Sequence, residues 1–290
     1  DGIVKLWNLK TGQVHHLKGH RGQVSEVEFS PDGQLLASPG YDGIVRVWDV
    51  NTGQVQKLKG HRGEVEQVEF SEDSQLLASA GFDGMVRLWD LKTGQVQHEL
   101  KGHKSSVSQV KFSRDGQLLA SAGKDGMVRL WDVKTGQVQA SKRHQGRVYQ
   151  LALSRDGELL ANAGAYGMLT LWDVKTWQIQ ELKGHQGDVR QVEFSPDGQL
   201  LASAGFDRTV RLWDLAGRQI AQFKGTRLVF HPDGTQLATI DGDTIKLWRV
   251  DNLDGLLARG CTYLGSYLSY LTDSSVNPEL KGFCDGLLDN

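Results

Sequence analysis

One 38-residue stretch that recurs along the chain decides the fold. Residues 19–56 read GHRGQVSEVEFSPDGQLLASPGYDGIVRVWDVNTGQVQ, in which turn residues separate four apolar runs. We predict strands at Val24–Phe29, Leu35–Ser38, Val45–Trp48 and Gln54–Leu58, because these runs are rich in β-branched and aromatic residues. The intervening Pro-Asp-Gly, Asp-Gly and Thr-Gly segments favour tight turns. Each copy of the stretch is therefore predicted to form an antiparallel sheet of four strands.

Tryptophan marks the period of the repeat. The spacings between successive marker tryptophans are 41, 41, 42, 41, 41 and 35 residues. The markers are Trp7, Trp48, Trp89, Trp131, Trp172, Trp213 and Trp248. Repeats of 40–45 residues with four strands each are typical of β-propellers. Nothing in the repeats keeps a helical period of 3.6, which argues against an α-solenoid.

The repeat resembles the WD-repeat (WD40) family over residues 1 to about 250, with Gly-His near its start and Trp-Asp near its end. The resemblance implies an all-β fold, a WD40 β-propeller of the seven-bladed type. Its first blade is expected to be incomplete, because residues 1–17 supply only a third and a fourth strand. The alternative is a six-bladed ring in which residues 13–17 complete the blade of Trp248.

The resemblance also implies a buried hydrogen-bond chain of histidine, serine, aspartate and tryptophan in each regular repeat. The matching sets are His20, Ser38, Asp42 and Trp48; His61, Ser79, Asp83 and Trp89; His103, Ser121, Asp125 and Trp131; and His185, Ser203, Asp207 and Trp213. Serine, histidine and aspartate also form catalytic triads, but a nucleophilic serine lies on an exposed turn. Here each serine follows Leu-Leu-Ala in a strand expected to be buried. We therefore expect the sets to be structural.

The repeat that ends at Trp172 departs from this pattern. Arg143 replaces the glycine before His144, Asn162 replaces the serine and Tyr166 replaces the aspartate. Trp177 stands where the other copies have a turn glycine, at a position expected to need a positive φ. We expect the hydrogen-bond chain of this repeat to be broken.

Three positions differ between repeats that are otherwise nearly identical: the third and fifth residues after the histidine and the residue before the aspartate. They are Gln23, Ser25 and Tyr41; Glu64, Glu66 and Phe82; Ser106, Ser108 and Lys124; Arg147, Tyr149 and Ala165; and Asp188, Arg190 and Phe206. In WD40 propellers such positions ring the top opening, where partners dock. All but Ala165 are predicted to bind a partner. Neutral drift of exposed positions is the competing interpretation.

Composition limits the partners. A formal net charge of −2 gives no global reason to expect nucleic acid or a membrane surface. Cys261 and Cys284 match no metal or disulfide pattern, and no phosphate loop or paired-carboxylate motif is apparent. We therefore predict a non-catalytic scaffold, without cofactor or metal, that binds proteins or peptides in the cytoplasm. A propeller hydrolase is the weaker alternative.

Residues 251–290 form a second predicted unit, because leucines spaced by three or four residues after Asn252 indicate a helical tail. The strings NLDGLLARGC (252–261) and FCDG (283–286) are similar to the tail of large bacterial WD-repeat proteins of the NACHT ATPase or kinase type. The alternative function is therefore a sensor that regulates upstream domains of the same polypeptide. The chain begins inside a repeat at Asp1, which we interpret as an N-terminal truncation.

Overall fold

The computed structural model describes residues 2–250, and this part of the chain is built almost entirely of β-strands. A single 3₁₀ turn, Ala165–Gly167, accompanies the strands. The predicted helical tail at 251–290, with both cysteines, lies outside the described residues.

Within residues 2–250, seven antiparallel sheets follow one another in sequence, and consecutive strands of each sheet pair with one another. Sheet 1 contains β1 (Ile3–Trp7) and β2 (Val14–Lys18). Sheet 2 contains β3 (Glu28–Phe29), β4 (Leu35–Pro39), β5 (Ile44–Asp49) and β6 (Val55–Lys59). Sheet 3 contains β7 (Val65–Phe70), β8 (Leu76–Gly81), β9 (Val86–Asp90) and β10 (Gln95–Leu100). Sheet 4 contains β11 (Val107–Phe112), β12 (Leu118–Gly123), β13 (Met127–Asp132) and β14 (Val138–Arg143).

The remaining sheets continue the same order. Sheet 5 contains β15 (Val148–Leu153), β16 (Leu159–Gly164), β17 (Leu169–Asp173) and β18 (Ile179–Glu181). Sheet 6 contains β19 (Val189–Phe194), β20 (Leu200–Gly205), β21 (Thr209–Asp214) and β22 (Gln219–Lys224). Sheet 7 contains β23 (Arg227–Phe230), β24 (Gln236–Asp241) and β25 (Thr244–Arg249). The predicted four-stranded sheets are thus confirmed for sheets 2 to 6.

Consecutive sheets pack face to face, and each pair shares one apolar core. Between sheets 2 and 3, for example, Val45 and Leu58 contact Val68, Leu77 and Trp89. The marker tryptophans of sheets 2 to 6 are at most 2% exposed. Burying a large aromatic side chain contributes strongly to stability, which explains why tryptophan sets the period.

Innermost strands are also joined from sheet to sheet by side-chain amides. Gln67 Oε1 accepts a hydrogen bond from the backbone N–H of Val110 at 2.7 Å, and Gln150 Oε1 accepts one from Val192 N at 2.9 Å. These N–H groups lie on the free edge of an inner strand and would otherwise lack a partner inside the fold. The glutamines therefore fix the spacing of neighbouring sheets.

The first and last sheets have fewer strands and more exposed apolar side chains. Trp7 is 59% exposed, and Ile245 and Leu247 of β25 are each 68% exposed. Strand β3 is shorter than predicted: it covers only Glu28–Phe29, with an isolated bridge at Val24. Sheet 1 contains no inner strands within residues 2–250, so β3 has little to pack against.

Strand β2 pairs with β1 and not with β25 in this part of the chain. The six-bladed alternative, in which residues 13–17 would complete the sheet of Trp248, therefore does not agree with the observed pairing.

Candidate functional site

A buried hydrogen-bond chain closes one end of each regular sheet. In sheet 3, His61 Nε2 lies 2.7 Å from Ser79 Oγ, Trp89 Nε1 donates to the same oxygen at 2.8 Å, and His61 Nδ1 lies 2.9 Å from Asp83 Oδ1. Sheets 2, 4 and 6 repeat these contacts with their own histidine, serine, aspartate and tryptophan. These hydrogen bonds hold the loop that precedes the inner strand against the middle of the sheet.

Three of the four hydrogen-bond chains contain an arginine that the sequence reasoning missed. Arg87 Nη1 lies 2.7 Å from His61 Nδ1 and 3.0 Å from Asp83 Oδ2, and Arg46 and Arg129 repeat this arrangement. The arginine stands two residues before the marker tryptophan. A Cβ atom on the glycine before the histidine would approach this arginine: at Gly60 it would lie 3.1 Å from Arg87 Nε. The glycine of the Gly-His dipeptide thus leaves room for the guanidinium. This glycine is the feature of the sequence that indicates the buried arginine.

Electrostatics keep the histidines neutral. Burial is the main cause that lowers the pKa of His61 below 6.5, and it acts in the same way on His20, His103 and His185. Burial alone would raise the pKa of Asp42, but hydrogen bonds from Arg46 and the Arg21 N–H bring it to about 2. A neutral imidazole and an ionised carboxylate suit a static hydrogen-bond chain.

The serines of these chains are enclosed. Ser38, Ser79, Ser121 and Ser203 have no exposed surface, and each accepts a hydrogen bond from its tryptophan. No substrate can reach them without opening the sheet packing. The contacts therefore support the structural interpretation of the four Ser-His-Asp sets.

Sheet 5 lacks the buried hydrogen-bond chain. Both ring nitrogens of His144 are buried without a hydrogen-bond partner, and so is Asn162 Oδ1. Trp172 Nε1 donates instead to Thr170, which occupies the position of the arginine. Because Thr170 is smaller than the arginine of the other sheets, no guanidinium stands where it would meet a Cβ atom at position 143, and Arg143 can replace the glycine. Trp177 has the expected positive φ, 61°, which matches the values of 69–71° at the equivalent Gly53, Gly94 and Gly136.

The internally variable positions meet at the ends of the sheets where the inner strands begin. In sheets 2 to 6 the residue before the aspartate, or before Tyr166 in sheet 5, donates its backbone N–H to the carbonyl of the third residue after the histidine. These pairs are Tyr41 with Gln23, Phe82 with Glu64, Lys124 with Ser106, Ala165 with Arg147, and Phe206 with Asp188, at 2.8–2.9 Å. The backbone thus brings residues about 18 positions apart side by side on each sheet.

Side chains then link these pairs across neighbouring sheets. Lys124 Nζ donates to Glu66 Oε1 at 2.9 Å, and Arg147 Nη2 lies 4.0 Å from Glu66 Oε2. Tyr149 Oη donates to Asp188 Oδ2 at 2.7 Å, and Arg190 pairs with the same carboxylate at 3.2 Å. Glu66 of sheet 3 therefore attracts cations from sheets 4 and 5. Asp188 of sheet 6 accepts a hydrogen bond from the phenol of Tyr149 on sheet 5.

Cations also cover the exposed aromatic rings. Lys124 Nζ lies 4.2 Å from the centre of the Phe82 ring. The Arg190 guanidinium lies 3.7 Å from the ring centre of Tyr149 and 4.3 Å from that of Phe206, so it stands between the two rings. We call the connected set the top cluster. It consists of Glu66, Phe82, Lys124, Arg147, Tyr149, Asp188, Arg190 and Phe206.

A depression of about 720 Å³ opens beside the top cluster. Six residues that were predicted from internal variation line it: Glu66, Ser108, Arg147, Tyr149, Arg190 and Phe206. Arg227, at the start of β23, also lines it and was not predicted, because sheet 7 lacks a regular repeat for comparison. Depressions of this size fall within the usual range of ligand sites, roughly 300–1,000 Å³.

Two serines of the predicted binding surface are buried. Ser106 and Ser108 are only 4% and 7% exposed, and the Ser108 hydroxyl donates to the backbone carbonyl of Val148 on the next sheet. We had expected both serines at the accessible surface, but they are enclosed where sheets 4 and 5 meet. Ser25 makes the equivalent bond to Val65 O at 3.2 Å while it remains exposed.

Tyr41 and Phe82, on adjacent sheets, do not form an aromatic pair within residues 2–250. Both rings are exposed, at 39% and 49%, but the ring contact recorded within residues 2–250 is that of Phe223 with Trp248. Phe82 instead contacts Lys124, which is itself attracted towards Glu66. Gln23, Tyr41 and Glu64 therefore lie outside the top cluster, on the side of sheets 2 and 3.

Comparison with known proteins identifies the repeat. The family model described as "WD domain, G-beta repeat" (WD40) matches residues 11–49, 52–90, 94–132, 136–173 and 176–214, about two thirds of the chain. The chain belongs to the WD40 family. A WD repeat-containing protein, SL1-17 of Schistosoma mansoni, is 50% identical over 42 residues. That match covers 14% of this chain and 14% of the relative.

WD40 repeats generally mediate protein–protein interactions. Their domains are typically non-catalytic scaffolds. In this WD40 chain, residues 2–250 contain no group of three or more metal-ligating side chains that could hold an ion. The same residues contain no helix that is long and apolar enough to cross a membrane.

Proposed function

We propose that this chain is a non-catalytic platform that binds a protein or peptide partner at the top cluster. The observation that carries the proposal is that residues which vary between the repeats converge on one surface. Eight of them, from sheets 3 to 6, are linked by ion pairs, one phenol hydrogen bond and cation–π contacts. Neutral drift would not place complementary charges opposite one another on adjacent sheets.

The composition of the top cluster suits protein recognition. Phe82 and Phe206 are 49% and 64% exposed, and aromatic residues and arginine are enriched where interfaces derive most of their energy. Arg190 is held between two rings before any partner arrives. Such preorganisation lowers the entropy lost on binding.

A peptide selection tests this proposal. A random 12-residue peptide library would be selected against the immobilised protein, and dissociation constants of enriched peptides would be measured by fluorescence anisotropy. We expect Phe206→Ala and Phe82→Ala to weaken binding by roughly 30-fold or more if these rings are hot spots. The matched control is Val138→Ala, because Val138 is 43% exposed on the outer strand β14. Equal affinity of all variants, or loss only with Val138→Ala, would contradict the proposal.

We also propose that residues 1–250 form a seven-bladed propeller domain whose first blade is incomplete. Seven consecutive sheets support the count, with two strands in the first and three in the last. The exposure of Trp7, Ile245 and Leu247 supports it as well, because these apolar side chains lack the neighbour that a closed ring supplies. The alternative sensor role within a large, multidomain bacterial protein of the cytoplasm rests on the tail strings. Sequence upstream of Asp1 that contains no ATPase or kinase motif would remove that alternative.

A further inference from the structure

Three guanidinium groups converge on the depression beside the top cluster. Arg147, Arg190 and Arg227 come from the start of the inner strands of sheets 5, 6 and 7, and one carboxylate, Glu66, lines the same space. Lys124 and Asp188 flank it through their contacts with Glu66 and Arg190. Four cations and two carboxylates leave a local charge of +2 on a chain whose formal net charge is −2.

The hydrogen-bonding capacity of these arginines is only partly used. Arg147 Nε is buried without a hydrogen-bond partner, and its Nη2 lies 4.0 Å from Glu66 Oε2, beyond hydrogen-bonding distance. Arg227 is exposed, and no ion pair to it is present among the described residues. Arg190 donates one Nη2 bond to Asp188, while both faces of its guanidinium are covered by rings. Its side chain is also 39% exposed, so it is accessible to a partner.

We infer that the depression binds an acidic peptide segment through at least two side-chain carboxylates. The inference rests on the proposed function and specifies the chemistry of its partner. Guanidinium groups bind carboxylates in a planar, two-point geometry, and an unpaired donor in a partly buried site gains most from such a bond. The excess of two positive charges matches two carboxylates.

Nucleic acid fits less well. A polyanion needs a long row of cations along its backbone. Here Glu66 and Asp188 interrupt the cationic residues within one depression. Phosphoserine shares the anionic chemistry of glutamate but brings about two charges per side chain, which would oppose Glu66 and Asp188 more strongly.

The test uses three sets of 12-residue peptides with one Phe and an otherwise identical Gly/Ser background. The sets carry two Glu, two Lys or two phosphoserine residues, and their binding is measured by fluorescence anisotropy. We expect the Glu set to bind, the Lys set not to bind and the phosphoserine set to bind no more tightly than the Glu set. Raising NaCl from 50 to 500 mM should weaken the Glu set, because the pairs are partly solvated.

Charge-removing variants give the matched comparison. Arg227→Gln should weaken the Glu set about tenfold, and Arg147→Gln/Arg227→Gln should weaken it further, because each removes a charge-assisted bond. Arg155→Gln is the control, since Arg155 is exposed in the turn at the opposite end of β15. Arg227 is exposed and makes no ion pair within residues 2–250, so we expect its removal to leave the fold intact, and a thermal melt verifies this for each variant.

The outcomes separate this inference from the proposed function. Equal binding of the Glu and Lys sets, phosphoserine binding tenfold tighter than Glu, or insensitivity to Arg227→Gln would overturn the acidic-peptide inference. Library-selected peptides that depend on Phe206 but lack enrichment in Asp and Glu would overturn it while leaving the platform intact. Selected peptides that depend on neither Phe206 nor Phe82 would overturn the platform itself.

Discussion

Removal of Asp83 tests the physical account of the buried chains. Asp83 is 9% exposed and accepts bonds from His61 Nδ1, the Arg62 N–H, the Met85 N–H and Arg87 Nη1 at 2.9–3.2 Å. In Asp83→Ala the histidine and the guanidinium lose a buried partner, and each such loss costs about 1–3 kcal/mol. Arg87 keeps Glu99 at 3.2 Å, which limits the penalty.

We therefore expect the free energy of unfolding to fall by about 3 kcal/mol. For a domain of this size the melting temperature should fall by roughly 6–12 °C. The assay is thermal unfolding followed by circular dichroism, with Asp243→Ala as the control because Asp243 is exposed and makes none of these contacts. A melting temperature of Asp83→Ala within 1 °C of the wild type would refute the reasoning.

Three further predictions concern stability, each measured by thermal melts. First, the combined change Arg143→Gly, Asn162→Ser, Tyr166→Asp and Thr170→Arg should rebuild the missing hydrogen-bond chain around His144. The free energy of unfolding should then rise by about 1–3 kcal/mol. Thr170→Arg alone should be destabilising, because Arg143 stands where the new guanidinium needs a glycine. Second, burial and the neighbouring Glu69 raise the pKa of Glu28 to about 8, and Glu28 Oε2 has no hydrogen-bond partner. A raised carboxyl pKa favours the folded state only at low pH, so Glu28→Gln should stabilise the protein at pH 8 but not at pH 4, whereas the exposed Glu72→Gln should change neither. Third, burial lowers the pKa of His61 and its equivalents below 6.5 in the folded state. At these histidines the unfolded chain therefore binds more protons below that pH, so acidification from pH 7 to pH 5 should lower the melting temperature of the wild type relative to that of His61→Gln; a difference between the two proteins that stays constant over this interval would contradict the lowered histidine pKa.

The repeat pattern was sufficient to predict the four-stranded sheets and the buried tryptophans, because strand and turn residues agree in every copy. It also identified six of the residues that line the depression. It could not identify the arginines of the buried chains, since an arginine in a strand normally indicates a solvent-facing position. In this fold Arg46 is 3% exposed, and its charge is balanced by Asp42 at 2.9 Å.

The details of the top cluster depend on geometry that no single repeat encodes. Glu66 pairs with cations from two later sheets, and this pairing depends on how the sheets pack together. Ser106 and Ser108 vary in the same way as their exposed counterparts, yet neighbouring sheets enclose them. Internal variation therefore marks positions near the surface, and packing decides which of them are accessible.

Amide hydrogen exchange with and without a library-selected peptide tests the central claim most directly. If the top cluster is the binding surface, slower exchange should appear at the starts of β11, β15 and β19 and in the turns around Phe82, Lys124 and Phe206. The turns at the opposite ends of the sheets, such as the one around Arg155, should be unchanged. Protection confined to those opposite turns or to the outer strands β6, β10 and β14 would contradict the account.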